Sequence, residues 1–366
     1  MMNKKIMLGL IILALIISGC SPTGKVVQED KIKIGVLSVL SGEATNIGEA
    51  IKKGLNLAAE DINNNGGVLG KKLELVYEDT HLDAKQAVTV MNKFTNIDKL
   101  PIVISGEGSG ATLAAAPLAD RTKTIMIVAI ASNPDIKKAG DYVFRVIPSD
   151  DYQGTEIARI ASDSRCSQAA VMYVNDAYGF GIKAVFTNNF AGEVLAEEAF
   201  DSGTSDVRTQ LAKIKAASPN CMILIARNEF PQILTQAKEL GLSAMIITSV
   251  EFKDESLLKA SGNAAEGVLV PFYEEHKDDI DFKSKFKKKY GSEPAPFSDY
   301  GYDAMKAIAE AIKKAGSTDS EKVKNALYEI NFRGATGEIK FDSNGDVIGK
   351  SFVVYQVKNG AFVSLE

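Results

Sequence analysis

Side chains suited to catalysis are few in this sequence. His81 and His276 are the only histidines, and they lie far apart on polar segments. A histidine-based catalytic triad or a histidine-rich metal site therefore has no set of partners. The Gly-x-Ser-x-Gly turn of hydrolases is missing, and the Ser-x-x-Lys matches at residues 256–259 and 284–287 are expected by chance in a lysine-rich chain. We expect no catalytic residues, no metal and no cofactor.

One glycine-rich turn favours the binding of a small anion. Gly106, Gly108 and Gly110 follow an apolar run typical of a strand, and Ser109 lies where a helix is predicted to begin. The Gly-x-Gly-x-Gly spacing differs from that of dinucleotide-binding turns, and the turn follows the third predicted strand rather than the first. A helix that begins at such a turn still directs free N–H groups and a positive dipole end into a crevice. This arrangement suits any small anion, including a carboxylate.

Two other segments imitate ligand-binding motifs without completing them. Residues 66–72 resemble a phosphate-binding loop, but one intervening residue is missing, and Lys72 replaces the serine or threonine. Asp342, Asn344 and Asp346 resemble the start of a calcium-binding loop, yet Val353 stands where its last glutamate should be. We expect a solvated Asn-Gly turn there, in a hairpin formed by residues 337–341 and 352–357.

Short apolar runs alternate with longer amphipathic ones over most of the chain. The predicted strands span residues 32–38, 73–78, 102–105, 125–130, 169–174, 194–200, 221–226, 244–248 and 267–272. Between the first two strands, apolar residues recur at helical spacing and face one way. Continuous apolar strands separated by helices indicate parallel sheets covered on both faces, which is the α/β class.

The alternation falls into two blocks that predict two doubly wound, Rossmann-like lobes. Pro148 interrupts the rhythm between them. We assign residues 32–147 and 274–331 to the N-terminal lobe, and residues 148–273 and 332–366 to the C-terminal lobe. A chain that returns to both lobes after the second block crosses between them several times, as in the hinge of a two-lobed clamp.

The N-terminus has the three parts of a lipoprotein signal peptide. Lys4 and Lys5 precede an unbroken apolar run over residues 6–17, and Ile17-Ser18-Gly19-Cys20 follows. The run is shorter than the roughly 20 residues of a membrane-spanning helix, so a transmembrane anchor is the weaker interpretation. The tetrapeptide resembles the site read by lipoprotein signal peptidase, which implies removal of residues 1–19 and lipidation of Cys20. Residues 20–31 then form a polar, flexible tether that holds the protein on the outer face of the membrane.

Composition and charge indicate a globular domain without polyanionic partners. The 366 residues are 45% hydrophobic and 24% charged, with 42 basic and 47 acidic side chains. Removal of residues 1–19, which contain two lysines, lowers the formal charge from −5 to about −7. Because the basic residues are scattered, nucleic acid and anionic membrane surfaces are poor partners. We expect a monomer.

Cys166 and Cys221 each precede an apolar run that predicts a strand. An oxidising exterior permits a disulfide if those strands are neighbours. Two buried free thiols are an equally good interpretation.

The chain resembles the amino-acid-binding proteins of branched-chain amino acid ABC transporters over almost all of its length after residue 30. The resemblance begins with Ile34-Gly-Val-Leu-Ser-Val-Leu-Ser-Gly42. The further matching segments follow in order at residues 47–48, 59–63, 66–70, 78–80, 109–112, 131–134, 144–145, 150–154, 176–179, 262–267, 302–304 and 337–342. The family fold is the type I periplasmic-binding-protein clamp, in which a three-stranded hinge joins two α/β lobes.

This resemblance implies which residues bind the ligand. In the family, the first lobe holds the α-carboxylate and α-ammonium of an amino acid through a helix-initiating serine and a strand-end segment. These correspond to Ser109, the backbone near Ile130, and Ser132. Tyr178 matches an aromatic residue of the second lobe that closes over the ligand.

Two positions depart from the family pattern. Ile47 stands where the best-known members carry a tyrosine against the ligand side chain, so this wall is aliphatic here. The acidic partner of the ligand ammonium falls near Val250 and Glu251, with an ambiguity of one residue. Glu251 is the candidate for that contact, a surface glutamate is an equally good interpretation, and Glu229 is a weaker substitute.

The sequence thus favours an extracytoplasmic, lipid-anchored solute-binding protein that captures an amino acid and delivers it to the permease of an ABC importer. A sensor ectodomain of the same fold is one alternative, and a surface accessory protein or enzyme on this scaffold is another. Branched-chain and other amino acids, short amides and small carboxylates all remain open as ligands.

Overall fold

The computed structural model describes residues 31–42, 44–274 and 280–365, which lie in one compact unit. Its first sheet has five parallel strands in the order β2-β1-β3-β4-β5. These strands are β1 (Lys31–Ser38), β2 (Lys72–Asp79), β3 (Ile102–Gly106), β4 (Ile125–Val128) and β5 (Val143–Arg145). Every residue of β3, β4 and β5 is buried, as expected for a parallel sheet covered on both faces, whereas the edge strand β2 is mostly half-buried.

Six helices belong with the first sheet. Three of them alternate with its strands: α1 (Thr45–Asn64), α2 (Ala84–Asn92) and α3 (Ser109–Arg121). The other three come from the end of the chain: α9 (Phe282–Tyr290), α10 (Ser298–Ala315) and α11 (Ser320–Glu329). Helix α10 packs along α1, where a Cβ at Gly54 would lie 1.8 Å from the carbonyl oxygen of Ser298. The absence of a side chain at Gly54 therefore permits this close helix packing.

The second sheet has seven strands in the order β14-β13-β10-β9-β8-β6-β7. Five of them are parallel: β6 (Gln168–Val174), β7 (Glu193–Phe200), β8 (Cys221–Ile225), β9 (Met245–Thr248) and β10 (Leu269–Tyr273). Strand β13 (Phe352–Lys358) pairs with β10, and the edge strand β14 (Ala361–Ser364) pairs with β13, both in antiparallel orientation. The helices around it are α4 (Asp150–Asp163), α5 (Ala177–Asn189), α6 (Arg208–Ala217), α7 (Phe230–Glu239) and α8 (Glu255–Ser261). Two α/β lobes with parallel sheets are thus confirmed.

The chain passes between the lobes three times: after β5, after β10, and between β12 (Gly337–Lys340) and β13. Strand β12 pairs with β11 (Asn331–Gly334) in a small antiparallel sheet of its own. Ile339, Phe341 and Val347 pack into the core of the first lobe. The structure therefore places the chain up to Val347 with the first lobe, beyond the boundary at residue 331 that the sequence suggested.

The predicted hairpin between residues 337–341 and 352–357 is wrong. Strand β12 pairs with β11, and β13 pairs with β10 and β14. The Asn344-Gly345 pair does form a tight turn, in which the N–H of Asp346 donates to Asp342 Oδ1 at 3.0 Å. An antiparallel bridge between Phe341 and Val347 closes this turn, so it joins two short segments of the first lobe rather than β12 and β13, a difference that local turn chemistry does not encode.

Candidate functional site

The carboxyl ends of β1, β3 and β4 form one edge of the first sheet, because parallel strands end on the same side. Ser38, the last residue of β1, pairs with Gly106, the last residue of β3. Ser109 starts α3 just beyond that edge and is buried. Its Oγ accepts a hydrogen bond from the N–H of Asn133 at 3.3 Å, so the segment after β4 lies against the start of α3. The glycine-rich turn and the second predicted ligand segment therefore meet.

Ser132 links this edge to the second lobe. Its Oγ donates to Asp150 Oδ2 at 2.9 Å, and Asp150 is the first residue of α4. Ile130 precedes Ser132 on the same segment and is half-buried against the first core. The structure thus brings Ser109, Ile130 and Ser132 to one place, as the resemblance implies.

A buried arginine fixes the position of the segment that carries Ser132. Arg145, at the end of β5, is fully buried, and its Nη1 donates to the carbonyl oxygens of Ser132 at 2.7 Å and Asn133 at 2.9 Å. Its Nε and Nη2 donate to the two carboxylate oxygens of Asp346, at 2.9 and 2.7 Å. This bidentate pair joins the first and third crossovers, and it compensates for the desolvation of both charges.

Two predicted residues of the second lobe are in direct contact. Tyr178 lies in the first turn of α5, and its hydroxyl donates to Glu251 Oε2. Glu251 lies on a short 3-10 turn just after β9. The Arg227 guanidinium stacks over the Tyr178 ring, 4.7 Å from its centroid, and its Nη1 lies 2.7 Å from Asp176 Oδ2. Because Tyr178, Glu251 and Arg227 support one another, Glu251 is not an isolated surface glutamate.

Glu229, the weaker substitute, has a local role instead. Its Oε1 accepts from the N–H of Gly203 at 2.9 Å and from Ser202 Oγ at 3.2 Å. Its Oε2 accepts from the N–H of Arg227 at 3.1 Å. These bonds tie two loops together and use both carboxylate oxygens.

Asp150 and Glu251 form an acidic pair beside the cleft. Gln153 connects Asp150 to the backbone next to Glu251. Its Nε2 donates to Asp150 Oδ1 at 2.8 Å, and its Oε1 accepts from the N–H of Val250 at 2.9 Å. Burial raises the pKa of Asp150 to about 8, with a further contribution from the charge of Glu251. Burial also raises the pKa of Glu251, against the opposing effects of the Tyr178 hydroxyl and Arg227. Such a pair favours a cation, and an ammonium group would stabilise both carboxylates.

The two lobes touch directly at this place. Asn133 Nδ2, on the first lobe, donates to the carbonyl oxygen of Ala177, on the second, at 2.5 Å. A Cβ on Gly181 would lie 2.7 Å from that same nitrogen and 3.0 Å from Pro134 Cδ. Gly181 therefore permits α5 to approach the first lobe, and the residues predicted from both lobes face one cleft.

Ile47 lies in the first turns of α1 and is half-buried against the first core. Ile51 is one helical turn further on, and its Cγ2 lies 3.4 Å from where a Cβ on Gly106 would be. The face of α1 that carries Ile47 and Ile51 therefore covers the glycine-rich turn with aliphatic side chains.

Ser41, Asp79 and His81 lie together at the edge of the first lobe, although no partner of His81 was predicted. Ser41 Oγ is 2.6 Å from His81 Nδ1 and donates to Asp79 Oδ2 at 2.6 Å. His81 Nδ1 is also 3.2 Å from Asp79 Oδ2. Serine and aspartate both approach the same ring nitrogen, whereas a catalytic triad needs them on opposite nitrogens. The cluster is therefore a hydrogen-bonded turn rather than a nucleophile with its base.

Cys166 and Cys221 form a disulfide with a Cα–Cα distance of 5.8 Å. It joins the loop before β6 to the start of β8, at the end of the second sheet away from the cleft.

Cys20 and His276 lie outside the described residues. Within residues 31–42, 44–274 and 280–365, no three acidic, histidine or cysteine side chains converge on a possible metal site. Over those same ranges no helix is long and apolar enough to cross a membrane.

Asn133, Asp150 and Arg227 belong to this site but were not singled out from the sequence. Asp150 stands in the first turn of a helix, where an acidic residue is ordinarily a helix-stabilising surface group. Asn133 precedes a proline and suggests a turn. Arg227 follows a strand in a polar loop. Only the folded arrangement shows that all three meet at one cleft.

Comparison with known proteins gives a consistent result. Residues 31–361 match the family model described as periplasmic binding protein. The chain is 32% identical over 336 residues to a leucine-, isoleucine-, valine-, threonine- and alanine-binding protein of Pseudomonas aeruginosa, which covers 89% of this chain and 90% of the relative. A leucine-binding protein from Thermotoga maritima superposes with a TM-score of 0.83 at 30% identity, over 92% of this chain and 98% of the other. A branched-chain amino acid transporter substrate-binding protein from Streptococcus pneumoniae, solved with isoleucine, superposes with a TM-score of 0.80 at 27% identity, over 92% of this chain and 100% of the other.

Proposed function

The chain belongs to the periplasmic binding protein family, and we propose that it captures a small amino acid of the branched-chain type between its lobes and delivers it to an ABC importer. It performs no chemistry on the ligand. Its role is to bind the ligand outside the membrane and to present a closed shape to the permease.

The observation that carries this proposal is the convergence of complementary groups from both lobes on one cleft. Ser109 and the start of α3 offer hydrogen-bond donors that suit a carboxylate. Asp150 and Glu251 supply carboxyl groups whose raised pKa values an ammonium group would lower, so that the bound ligand and the ionised carboxylates stabilise each other. A zwitterionic amino acid presents both groups a few ångströms apart, and the aliphatic wall at Ile47 suits a small apolar side chain.

The relatives support the ligand class. The Pseudomonas protein is named for five small amino acids, and the Streptococcus protein was solved with isoleucine. Since the described cleft offers both a carboxylate site and an acidic pair, we extend an amino-acid ligand to this chain.

We further propose that Cys20 is lipidated after removal of residues 1–19 and anchors the domain to the outer face of the membrane. The signal-like segment and Cys20 support this proposal. A tether keeps the binding protein at high local concentration beside its permease. Mass spectrometry of the protein isolated from membranes should find an N-terminus at Cys20 that carries a diacylglyceryl group. A Cys20→Ala variant recovered from membranes with the same processing and lipid mass would contradict the anchor.

Thermal melts against a ligand panel test the binding function. A ligand present at 100 times its Kd stabilises the folded state by about 2.7 kcal/mol, which shifts the melting temperature measurably. The panel should contain branched-chain and other small amino acids, short amides and small carboxylates. Stabilisation by at least one amino acid, without turnover of it, is the expected result. Consumption of the stabilising compound would show an enzyme instead.

A further inference from the structure

A buried glutamate lies within the glycine-rich turn of the first lobe, two residues before Ser109. Glu107 is flanked by Gly106, the last residue of β3, and Gly108, the residue that precedes α3. Its side chain is fully buried. Thr80, which follows β2 and is also buried, donates from Oγ1 to Glu107 Oε1 at 2.5 Å.

The second carboxyl oxygen of Glu107 has no hydrogen-bond partner among the described residues. Only one other buried side-chain oxygen or nitrogen in the described chain shares that condition, Thr187 Oγ1. A buried polar atom left without a partner costs about 1–3 kcal/mol, so native proteins rarely keep one without a use. The charge of Asp79 repels a negative charge on Glu107.

The position of Glu107 places it on the side-chain end of the proposed ligand site. It lies at the carboxyl edge of the sheet, between Thr80 and Ser109. Helix α1 covers this turn, with Ile51 against Gly106, and Ile47 lies one helical turn closer to the cleft. In the proposed amino-acid site, Ser109 faces the ligand carboxylate and Ile47 faces the ligand side chain. Glu107 belongs to the turn that ends at Ser109 and that α1 covers.

We infer that Glu107 is a specificity-determining residue that hydrogen-bonds a hydroxyl or amide group on the side chain of the bound amino acid. This inference rests on the proposed amino-acid-binding function. Among the small branched amino acids of the proposed function, it favours those whose side chain carries a hydrogen-bonding group. Burial raises the pKa of Glu107 to about 7, so near neutral pH the carboxyl exists in both a donating and an accepting form.

Threonine and valine provide the sharpest test, because they have nearly the same shape and differ in a hydroxyl and a methyl group. Titration calorimetry of the purified protein should give a Kd for threonine at least about tenfold lower than that for valine. Sites built to hydrogen-bond a ligand hydroxyl discriminate at least this strongly against the analogue that lacks it. Equal affinities, or tighter binding of valine by the wild type, would overturn the inference.

Two substitutions make the test specific to this side chain. Glu107→Leu, which removes the polar group at similar size, should bring the threonine-to-valine preference to unity or reverse it. Glu107→Gln keeps hydrogen-bonding capacity and should retain a preference for threonine. Thr187→Val is the matched control, because it also removes an unpartnered buried oxygen but lies in α5 of the second lobe. A preference that survives Glu107→Leu, or that Thr187→Val abolishes, would count against Glu107.

The two proposals fail in different ways. If no amino acid binds the wild type, the proposed function itself is wrong. If amino acids bind but threonine has no advantage over valine, only the role of Glu107 is wrong. The wild-type comparison remains decisive even if Glu107→Leu does not fold.

Discussion

At the scale of single residues, the cleft combines hydroxyl groups of the first lobe with carboxyl groups at the start of α4 and after β9. Ser109 and Ser132 supply the hydroxyls, and Asp150 and Glu251 supply the carboxyls. This division matches the two charged ends of an amino acid. Each side chain can therefore be tested against one end of the ligand.

Substitution Ser109→Ala should weaken amino-acid binding by about tenfold or more. A hydrogen bond to a charged group contributes about 1.5–3 kcal/mol, and Ser109 lies where the ligand carboxylate is expected. Titration calorimetry measures the change. Ser284→Ala, at an exposed serine of α9, is the control and should leave the Kd unchanged. Wild-type affinity in Ser109→Ala would remove this serine from the site.

The buried carboxyl of Asp150 should make stability depend on pH. Its pKa is about 8 in the folded protein, above the ordinary value of 3.8, so the folded state holds a proton that the unfolded state releases. The stability that this proton confers is fully present below about pH 4 and is lost as the pH rises through about 8. Asp150→Asn should therefore melt at a higher temperature than the wild type at pH 8.5, with a smaller difference at pH 5. A difference independent of pH would show that Asp150 stays ionised throughout.

At the scale of elements, the sequence predicted the strands and missed how some of them pair. Long apolar runs such as residues 169–174 and 221–226 coincide with β6 and β8, because a strand buried on both faces needs continuous apolar residues. Strand β5 was missed because Val143–Arg145 has only three residues and ends in an arginine. The Asn344-Gly345 turn was recognised, but its partners were not, because pairing depends on distant strands.

The crossovers are joined by the pair of Arg145 and Asp346, which should be a large contributor to stability. Asp346→Ala leaves a buried guanidinium without its partner, which typically costs about 3–5 kcal/mol. Denaturant unfolding should show that loss. Asp163→Ala, which breaks the exposed pair with Arg159, is the control and should change the midpoint little. A small effect of Asp346→Ala would mean that the crossovers are held by other contacts.

The substitution Gly181→Ala should hinder closure of the lobes over the ligand without lowering the stability of the ligand-free protein. Alanine raises helix propensity by about 1 kcal/mol relative to glycine, so α5 and the ligand-free protein should not be weakened. Its Cβ would nevertheless meet Asn133 Nδ2 at 2.7 Å and hold the lobes apart. Ligand affinity should fall while the ligand-free melting temperature is kept. The double variant with Asn133→Ala should regain part of the affinity, and failure to do so would place the steric conflict elsewhere.

At the level of the whole molecule, two lobes of similar architecture are joined by three crossovers, and the groups proposed to bind the ligand lie where the lobes meet. The α/β class and the two-lobed plan followed from the alternation of apolar runs. The residues of the candidate site were predicted only in part from the sequence. The resemblance assigned ligand roles to Ser109, Ser132 and Tyr178 and made Glu251 a candidate. Asn133 and Asp150 lie in matching segments without an assigned role, and they gain one from contacts between segments distant in sequence. Such contacts leave no local pattern in a single sequence.

The disulfide should stabilise the second lobe without affecting the ligand. Cys166 and Cys221 are 55 residues apart, and closure of a loop of that length is worth about 4 kcal/mol on the chain-entropy model. Replacement of both cysteines by serine should lower the melting temperature and leave ligand affinity unchanged. A change in affinity would show that this end of the sheet communicates with the cleft.

We propose that the cleft recognises both charged ends of an amino acid. Titration calorimetry of the wild-type protein should compare each small amino acid with the matching carboxylic acid that lacks the amine. We predict one-to-one binding of at least one amino acid and binding at least about 100-fold weaker for its analogue without the amine, because the acidic pair then faces no cation. Equal affinity for the two compounds, or no binding of any amino acid, would contradict the claim.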